Sequence, residues 1–195
     1  MTIPQIDPGT GVALRTAVET DAERWLEMVH DAEHRQYASP AHVPLPGDVT
    51  GLAESLAGSL TAWEERRPGT LVIVGSDAPG LFLGNISWRW TVSEPMAVAD
   101  IGYGVHPDAR GRGVGRRAIS ALTRWLLDPD GRGLARVQLD HSTENEASCR
   151  VALAAGFEKE GIRRGYLPLR GPDGLVRRHD VCLHGTVLRA APSGW

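Results

Sequence analysis

The stretch "HPDARGRGVGRRAIS", His106 to Ser120, places four arginines and three glycines among fifteen residues, directly after the more apolar "ADIGYGV". Glycine lets the backbone turn tightly and lets a ligand approach it closely. A helix that begins after such a turn presents unpaired N–H groups and a partial positive charge, a combination that holds phosphate, and nearby arginines strengthen the grip. Spacing decides among the phosphate devices. A P-loop needs a glycine-lysine pair followed by Ser or Thr, and no lysine stands near these glycines. A dinucleotide fingerprint needs G-x-G-x-x-G, whereas Gly111, Gly113 and Gly115 read G-x-G-x-G with Arg116 in the last glycine position. What remains is R-x-x-G-x-G, formed by Arg110, Gly113 and Gly115 between a strand and a helix, with a solvated basic turn as the bland alternative.

That hexapeptide, in that setting, resembles the acetyl-CoA pyrophosphate loop of the GNAT N-acetyltransferase superfamily. A second block, "STENEASCRVALAAGFEKEGIRR" from Ser142 to Arg164, is similar to the N-x-x-S and GF-x-x-EG signatures of the RimJ/RimL-type branch, whose members acetylate ribosomal-protein N-termini and various small amines. Asn145 and Ser148 occupy the matching positions, and "VALRTAVETDAERW" is similar to the family's opening strand and capped helix. The resemblance covers most of the chain, and the middle, Ala38 to Trp63, shows no match. The resemblance implies an α/β (α+β) GNAT fold, with a mixed, mostly antiparallel sheet of six to seven strands flanked by about four helices. It also implies direct transfer of an acetyl group from acetyl-CoA to a primary amine, either a protein N-terminal α-amine or a small-molecule amine. In that reading Arg110, Gly111, Arg112, Gly113, Val114, Gly115 and Arg116 surround the pyrophosphate. Val105 offers backbone hydrogen bonds to the pantetheine arm, Gly104 keeps the path clear, and the Asn145 side chain touches the same arm.

The attacking amine must be neutral, which an α-amino group with a pKa near 8 reaches more easily than a lysine near 10.4. Ser148 lies three positions after Asn145, faces the same way, and is the candidate general acid for the leaving thiolate. Cys149 points elsewhere, and a cysteine nucleophile requires a paired base that spacing does not reveal. The base is open among Asp100, Glu94, His106 and His141, and Tyr166 is a further candidate acid. Two alternatives stand beside the enzyme: a non-catalytic acyl-CoA-binding or regulatory module, and a transferase of another acyl group such as succinyl, which Arg163 and Arg164 do not settle.

These residues need a scaffold, and the sequence supplies one. Val12 to Arg15 reads as a first strand, and Thr20 to Glu23 as a capping box before a helix carrying Trp25, Met28 and Val29. A second helix covers Val49 to Arg66, after the proline-bearing stretch from Ala38, whose Ser39 to Pro46 portion is a candidate lid. Strands follow at Thr70 to Ser76, Gly80 to Trp90 and Ala97 to Val105. Along the second of these Ile86, Trp88 and Trp90 share one face, as core packing in preference to a substrate groove. Val114, Ala118, Ala121, Leu122 and Trp125 form a helical stripe that stops before Pro129. Leu134 to Asp140 is another strand, Thr143 and Glu146 suggest a second capping box, and Phe157 to Leu169 and Arg177 to Leu188 are the last extended segments.

Composition sets the outer bounds. With 195 residues and 42% hydrophobic content, one domain spanning 1–195 is expected, with 191–195 as a loose tail. Twenty-one basic and 24 acidic residues leave a net charge of -3, so no global field recruits nucleic acid or an anionic membrane. No apolar run is long enough for a bilayer, and "MTIPQIDPGTG" has no signal-peptide character, from which a cytoplasmic protein is expected. The two cysteines, Cys149 and Cys182, fit no CxxC pattern, which argues against a disulfide framework or a metal site. A homodimer through an edge strand among the last segments stays open.

Overall fold

The computed structural model describes residues 5–6, 9–38, 40–41, 46–48, 50, 52, 59–171 and 173–187. Eight strands form one sheet: β1 (Gln5–Ile6), β2 (Val12–Arg15), β3 (Gly69–Gly75), β4 (Phe82–Trp90), β5 (Val98–Val105), β6 (Arg136–Ser142), β7 (Glu158–Arg170) and β8 (Val176–Val187). Their spatial order is β1-β2-β3-β4-β5-β6-β8-β7. Every neighbouring pair is antiparallel except β5 with β6. The expected fold is present, and the eighth strand is the two-residue β1, too short for periodicity to mark. The helices among the described residues are α1 (Ala22–His30), α2 (Ala32–Tyr37), α3 (Ser59–Glu64), α4 (Val114–Leu127) and α5 (Glu146–Ala154). Of the expected helix at 49–66, Thr50 and Leu52 are helical beside α3, and most of the remainder lies outside the described residues, as does the tail at 191–195.

Helix α4 covers one face of the sheet, burying Val114, Ala118, Ile119, Leu122 and Leu126 against Val12, Leu14, Ile73, Ile86, Trp88 and Ile101. Burial of a leucine or isoleucine side chain is worth about 1.5–3 kcal/mol, so this stripe is what holds α4 on the sheet. Trp88 is core, with Trp90 against it edge to face at 5.2 Å. On the opposite face Trp25, Met28 and Val29 of α1 pack with Val72, Val74 and Phe82.

Both expected capping boxes are replaced by other caps. The chain enters α1 through a 3-10 turn, Glu19–Asp21, and the Asp21 carboxylate, not Thr20, does the capping by accepting the Val18 N–H at 2.8 Å. Asp21 is committed there because both its oxygens also receive the buried Arg15 guanidinium, at 2.7 and 2.8 Å. At α5 the cap is Asn145, whose Oδ1 accepts the Ser148 N–H at 3.0 Å, so Thr143 and Glu146 are not the pair. A break at Asp31 separates α1 from α2, because its backbone is extended and its carboxylate accepts the His34 N–H to start a new helix. Among the described residues no helix is long and apolar enough to cross a membrane.

Candidate active site

β5 is paired with β4 from Ala99 to Val105, but with β6 only at Val98, Ala99 and Asp100. Past Asp100 the two parallel strands splay, which leaves the second backbone edge of residues 101–105 without a strand partner. Buried backbone donors and acceptors need partners, so such an edge is a ready receptor for an extended polar ligand. The opening is a cleft of about 790 Å³. Its walls run from Gly111, Gly113 and Arg116 at one end, past Tyr103 and Ser148, to Asp140.

The turn before α4 forms one end of the cleft. Gly113 caps the helix in the left-handed conformation at φ 72°, and Gly111 has the same φ, which disfavours any side chain at either position. Gly115 is glycine for space, since a Cβ there would stand 3.0 Å from Cε2 of Tyr103. The first helical bond runs from the Arg117 N–H to the Gly113 carbonyl at 3.1 Å. The N–H groups of Val114, Gly115 and Arg116 therefore have no intrahelical acceptor and stand at the positive end of the helix. Arg116 is exposed on the cleft wall.

Arg110 is held differently from its neighbours. Its guanidinium binds Asp31 at 2.6 Å and Glu33 at 2.9 Å, and its Nε donates to the Val105 carbonyl at 3.2 Å. The arginine thus laces the turn to α2 and to the end of β5. Arg112 donates to the Asp108 carbonyl, and its own carbonyl accepts Arg117 at 2.9 Å.

At the middle of the cleft the Tyr103 hydroxyl donates to Ser148 Oγ at 3.1 Å. Burial raises the phenol above its ordinary pKa, so Tyr103 keeps its proton at neutral pH. Ser148, itself buried, accepts that bond and retains its own O–H to give. Asp140 lies further along, with its carboxyl raised above the ordinary value by burial and then by the negative charge of Asp100, while Arg89 and Arg163 oppose the shift. Arg163 reaches the Asp140 carboxylate at 3.4 Å. A carboxyl shifted toward neutrality is a stronger base once ionised. Across the cleft His34 is pushed down to about 4 by burial and then by the Arg110 charge, so its ring is neutral at physiological pH.

A comparison with known proteins decides the lineage: the sequence profile described as "Acetyltransferase (GNAT) domain" matches residues 12–158. The chain belongs to the GNAT acetyltransferase family. It is 36% identical over 158 residues to the "Uncharacterized N-acetyltransferase YoaA" of Bacillus subtilis (strain 168), covering 81% of this chain and 85% of that one. It is 39% identical over 77 residues to the "N-alpha-acetyltransferase RimI" of Mycobacterium tuberculosis, a match that spans 40% of this chain and 45% of the relative's length. Among solved structures, "Mycobacterium smegmatis RimJ in complex with CoA-disulfide" superposes with a TM-score of 0.77 at 22% identity, covering 98% of this chain and 88% of that one.

Within this GNAT cleft the structure gathers Val105, Arg110, Gly111, Gly113, Val114, Gly115, Arg116, Asn145 and Ser148 on the lining; Arg112 is not among the lining residues, and its guanidinium donates to the Asp108 carbonyl. Gly104 also lines the cleft, and a Cβ there would meet Asn85 Oδ1 and His34 Cε1, each at 3.0 Å. Other candidates fall elsewhere. Asp100 is off the lining, accepts Gln138 Nε2 at 2.8 Å, and reaches the cleft through its charge on Asp140 and its ion pair with the lining residue Arg89 at 3.8 Å. The Glu94 backbone lies in the 3-10 turn Glu94–Met96 at the far end of β5, and its side chain is outside the described residues. Tyr166 is half-exposed on β7 beneath the Arg163 guanidinium, 4.8 Å from its ring centroid. His106 is buried among Arg24, Glu27 and Asp108. His141 does line the cleft. Sequence reasoning missed Tyr103, Asp140 and His34. Nothing local marks Tyr103, because the glycine that makes room for its ring is Gly115 at the start of α4, twelve positions on.

Proposed function

We propose that this protein is an acetyl-CoA-dependent N-acetyltransferase that passes the acetyl group directly to a primary amine, with a peptide N-terminal α-amine as the preferred acceptor. The observation that carries the reading is the hydrogen bond from Tyr103 to Ser148 at 3.1 Å, standing in the same cleft as the free amides of Val114 to Arg116. With the diphosphate on those amides, the pantetheine arm lies along the unpaired edge of β5 beside Val105 and Asn145 and brings the thioester to Ser148. Asn145 Oδ1 is occupied as the helix cap, so its amide nitrogen is the group available to the arm. The amine enters on the other side of the sheet, past Tyr37, Pro40 and Leu167. Pro40 and Ala41, within the expected lid, are tied to β7 through the bridge to Leu169 and the bond to the Pro168 carbonyl at 2.9 Å. Ser39 and residues 42–45 lie outside the described residues.

The protons then move in balance. Asp140, directly or through water, takes the proton that the attacking nitrogen releases. As the tetrahedral adduct collapses the C–S bond breaks, Ser148 gives its proton to the CoA sulfur, and Tyr103 replaces it at Ser148 Oγ; solvent returns a proton to Tyr103 as Asp140 releases the one it took, which closes the balance. Each proton transfer of this kind is worth about 10²–10⁴-fold. The RimJ and RimI relatives support CoA as the donor and an α-amine as the acceptor class. The test is a thiol-release assay with acetyl-CoA over a panel of peptides and small amines, with products read by mass. Acetylation at a peptide α-amine is expected. CoA binding without turnover on any amine overturns the reading in favour of a non-catalytic module, and a preference for succinyl-CoA overturns the acyl assignment.

A further inference from the structure

Behind the Ser148 wall, three side chains that the reaction above does not use converge from three different elements. His141 of β6, His184 of β8 and Cys149 of α5 bring one ligand atom each to within 4.8 Å of one another. The imidazoles are stacked, with centroids 5.1 Å apart and planes 25° apart, and their Nε2 atoms meet at 3.1 Å. Cys149 Sγ is 3.8 Å from His184 Nε2. Two neutral imidazoles touching tip to tip share one proton between two lone pairs, and burial keeps both rings below their ordinary pKa.

We propose that His141 Nε2, His184 Nε2 and Cys149 Sγ form a binding site for a divalent ion of the zinc class. The donor set of two imidazoles and one thiolate suits a borderline cation, and hard ions such as calcium or magnesium find no oxygen ligands in it. Metal–nitrogen bonds of 2.0–2.1 Å and a metal–sulfur bond of 2.3 Å at tetrahedral angles require N···N near 3.4 Å and N···S about 3.5 Å. The distances of 3.1 and 3.8 Å are each within a few tenths of an ångström of these values.

The outer partners fix how each ring is used. His141 Nδ1 donates to the Ser142 carbonyl at 2.8 Å, which leaves Nε2 bare and aimed at His184. His184 is fully buried, and its Nδ1 has no hydrogen-bond partner among the described residues, so nothing else dictates which of its nitrogens carries the proton. Metal binding expels the Cys149 thiol proton to solvent and moves the His184 proton from Nε2 to Nδ1. Since that Nδ1–H gains no acceptor, the site lacks an outer-shell contact of the kind worth about 10–100-fold in affinity, and it binds reversibly. His141 also lines the cleft, which gives an ion a route in and places it beside Ser148.

Cobalt(II) titration of the full chain under reducing conditions tests this without reference to turnover. One equivalent is expected to raise a sulfur-to-cobalt charge-transfer band in the near ultraviolet, displaced by zinc and abolished by chelator. Cys149→Ser is expected to lose the band and weaken binding at least tenfold while unfolding at a temperature close to wild type. Cys182→Ser is expected to keep the band, and His141→Gln to keep a cysteine contact at reduced affinity. No band in the wild-type chain, a band that survives Cys149→Ser, or one lost in Cys182→Ser overturns the proposal.

Discussion

Replacing Ser148 by alanine removes the acceptor of the Tyr103 hydroxyl, the only hydrogen bond that the phenol makes among the described residues. An unsatisfied buried donor costs about 1–3 kcal/mol, whereas removing a donor whose partner can still turn elsewhere costs about 0.5–1.5 kcal/mol. Ser148→Ala should therefore destabilise more than Tyr103→Phe, and the double variant, which strands neither group, should lose less than the sum of the singles by about 1 kcal/mol. In a chain of this length each kcal/mol is worth roughly 2–4 °C of melting temperature, so the four-member cycle is measurable by thermal and urea unfolding. Turnover should show the same coupling. Ser148→Ala lowers kcat by about 10²–10⁴, and adding Tyr103→Phe lowers it little further, because the two hydroxyls hand on one proton. CoA affinity should change far less than kcat. Additive losses in both stability and kcat refute the relay, as does a Ser148→Ala enzyme with undiminished turnover.

Gly115→Ala drives a Cβ to 3.0 Å from the Tyr103 ring, so a stability loss of about 1–3 kcal/mol is expected in urea unfolding, with turnover falling as the ring moves off Ser148. Arg116→Ala, which removes an exposed guanidinium from the cleft wall, should weaken CoA binding roughly tenfold in calorimetry and flatten its dependence on salt. His34 makes stability fall with acid. Its folded pKa of about 4 lies below the ordinary 6.5, so between those values the unfolded chain binds a proton that the folded one refuses. The loss approaches about 1.4 kcal/mol per pH unit across that window and vanishes above it, and a His34→Gln variant should show a shallower slope in unfolding free energy between pH 7 and pH 5.

The parts legible in the sequence were those set by local chemistry. The glycines of the anion turn could be read because a left-handed cap and a close approach both demand the absence of a side chain, and α4 because its stripe repeats at helical spacing. Ser148 and Asn145 stood out by their place in a family signature. Asp140 and His34 did not, because what distinguishes them is burial and the charges that folding brings near: Asp100 for the one, Arg110 for the other. Asp100 is one of the candidate bases in the sequence and Tyr166 a further candidate acid. Strand register decides between faces, turning Asp100 toward Gln138 and Tyr166 toward solvent. Arg110 was legible as the cation of the R-x-x-G-x-G motif but not as a tie, since its partners Asp31 and Glu33 lie nearly eighty positions earlier. The capping boxes failed for a similar reason: Asp21 was drawn into capping by the buried Arg15, a contact that no local pattern encodes.

The central claim is that the turn from Arg110 to Arg116 seats the diphosphate of CoA on main-chain amides at the mouth of α4. A crystal structure of the protein with CoA measures this directly. Phosphate oxygens within about 2.7–3.2 Å of the amide nitrogens between Gly111 and Arg116, with the sulfur beside Ser148, are the predicted result. A diphosphate held elsewhere, or a sulfur remote from Ser148 and Tyr103, contradicts it.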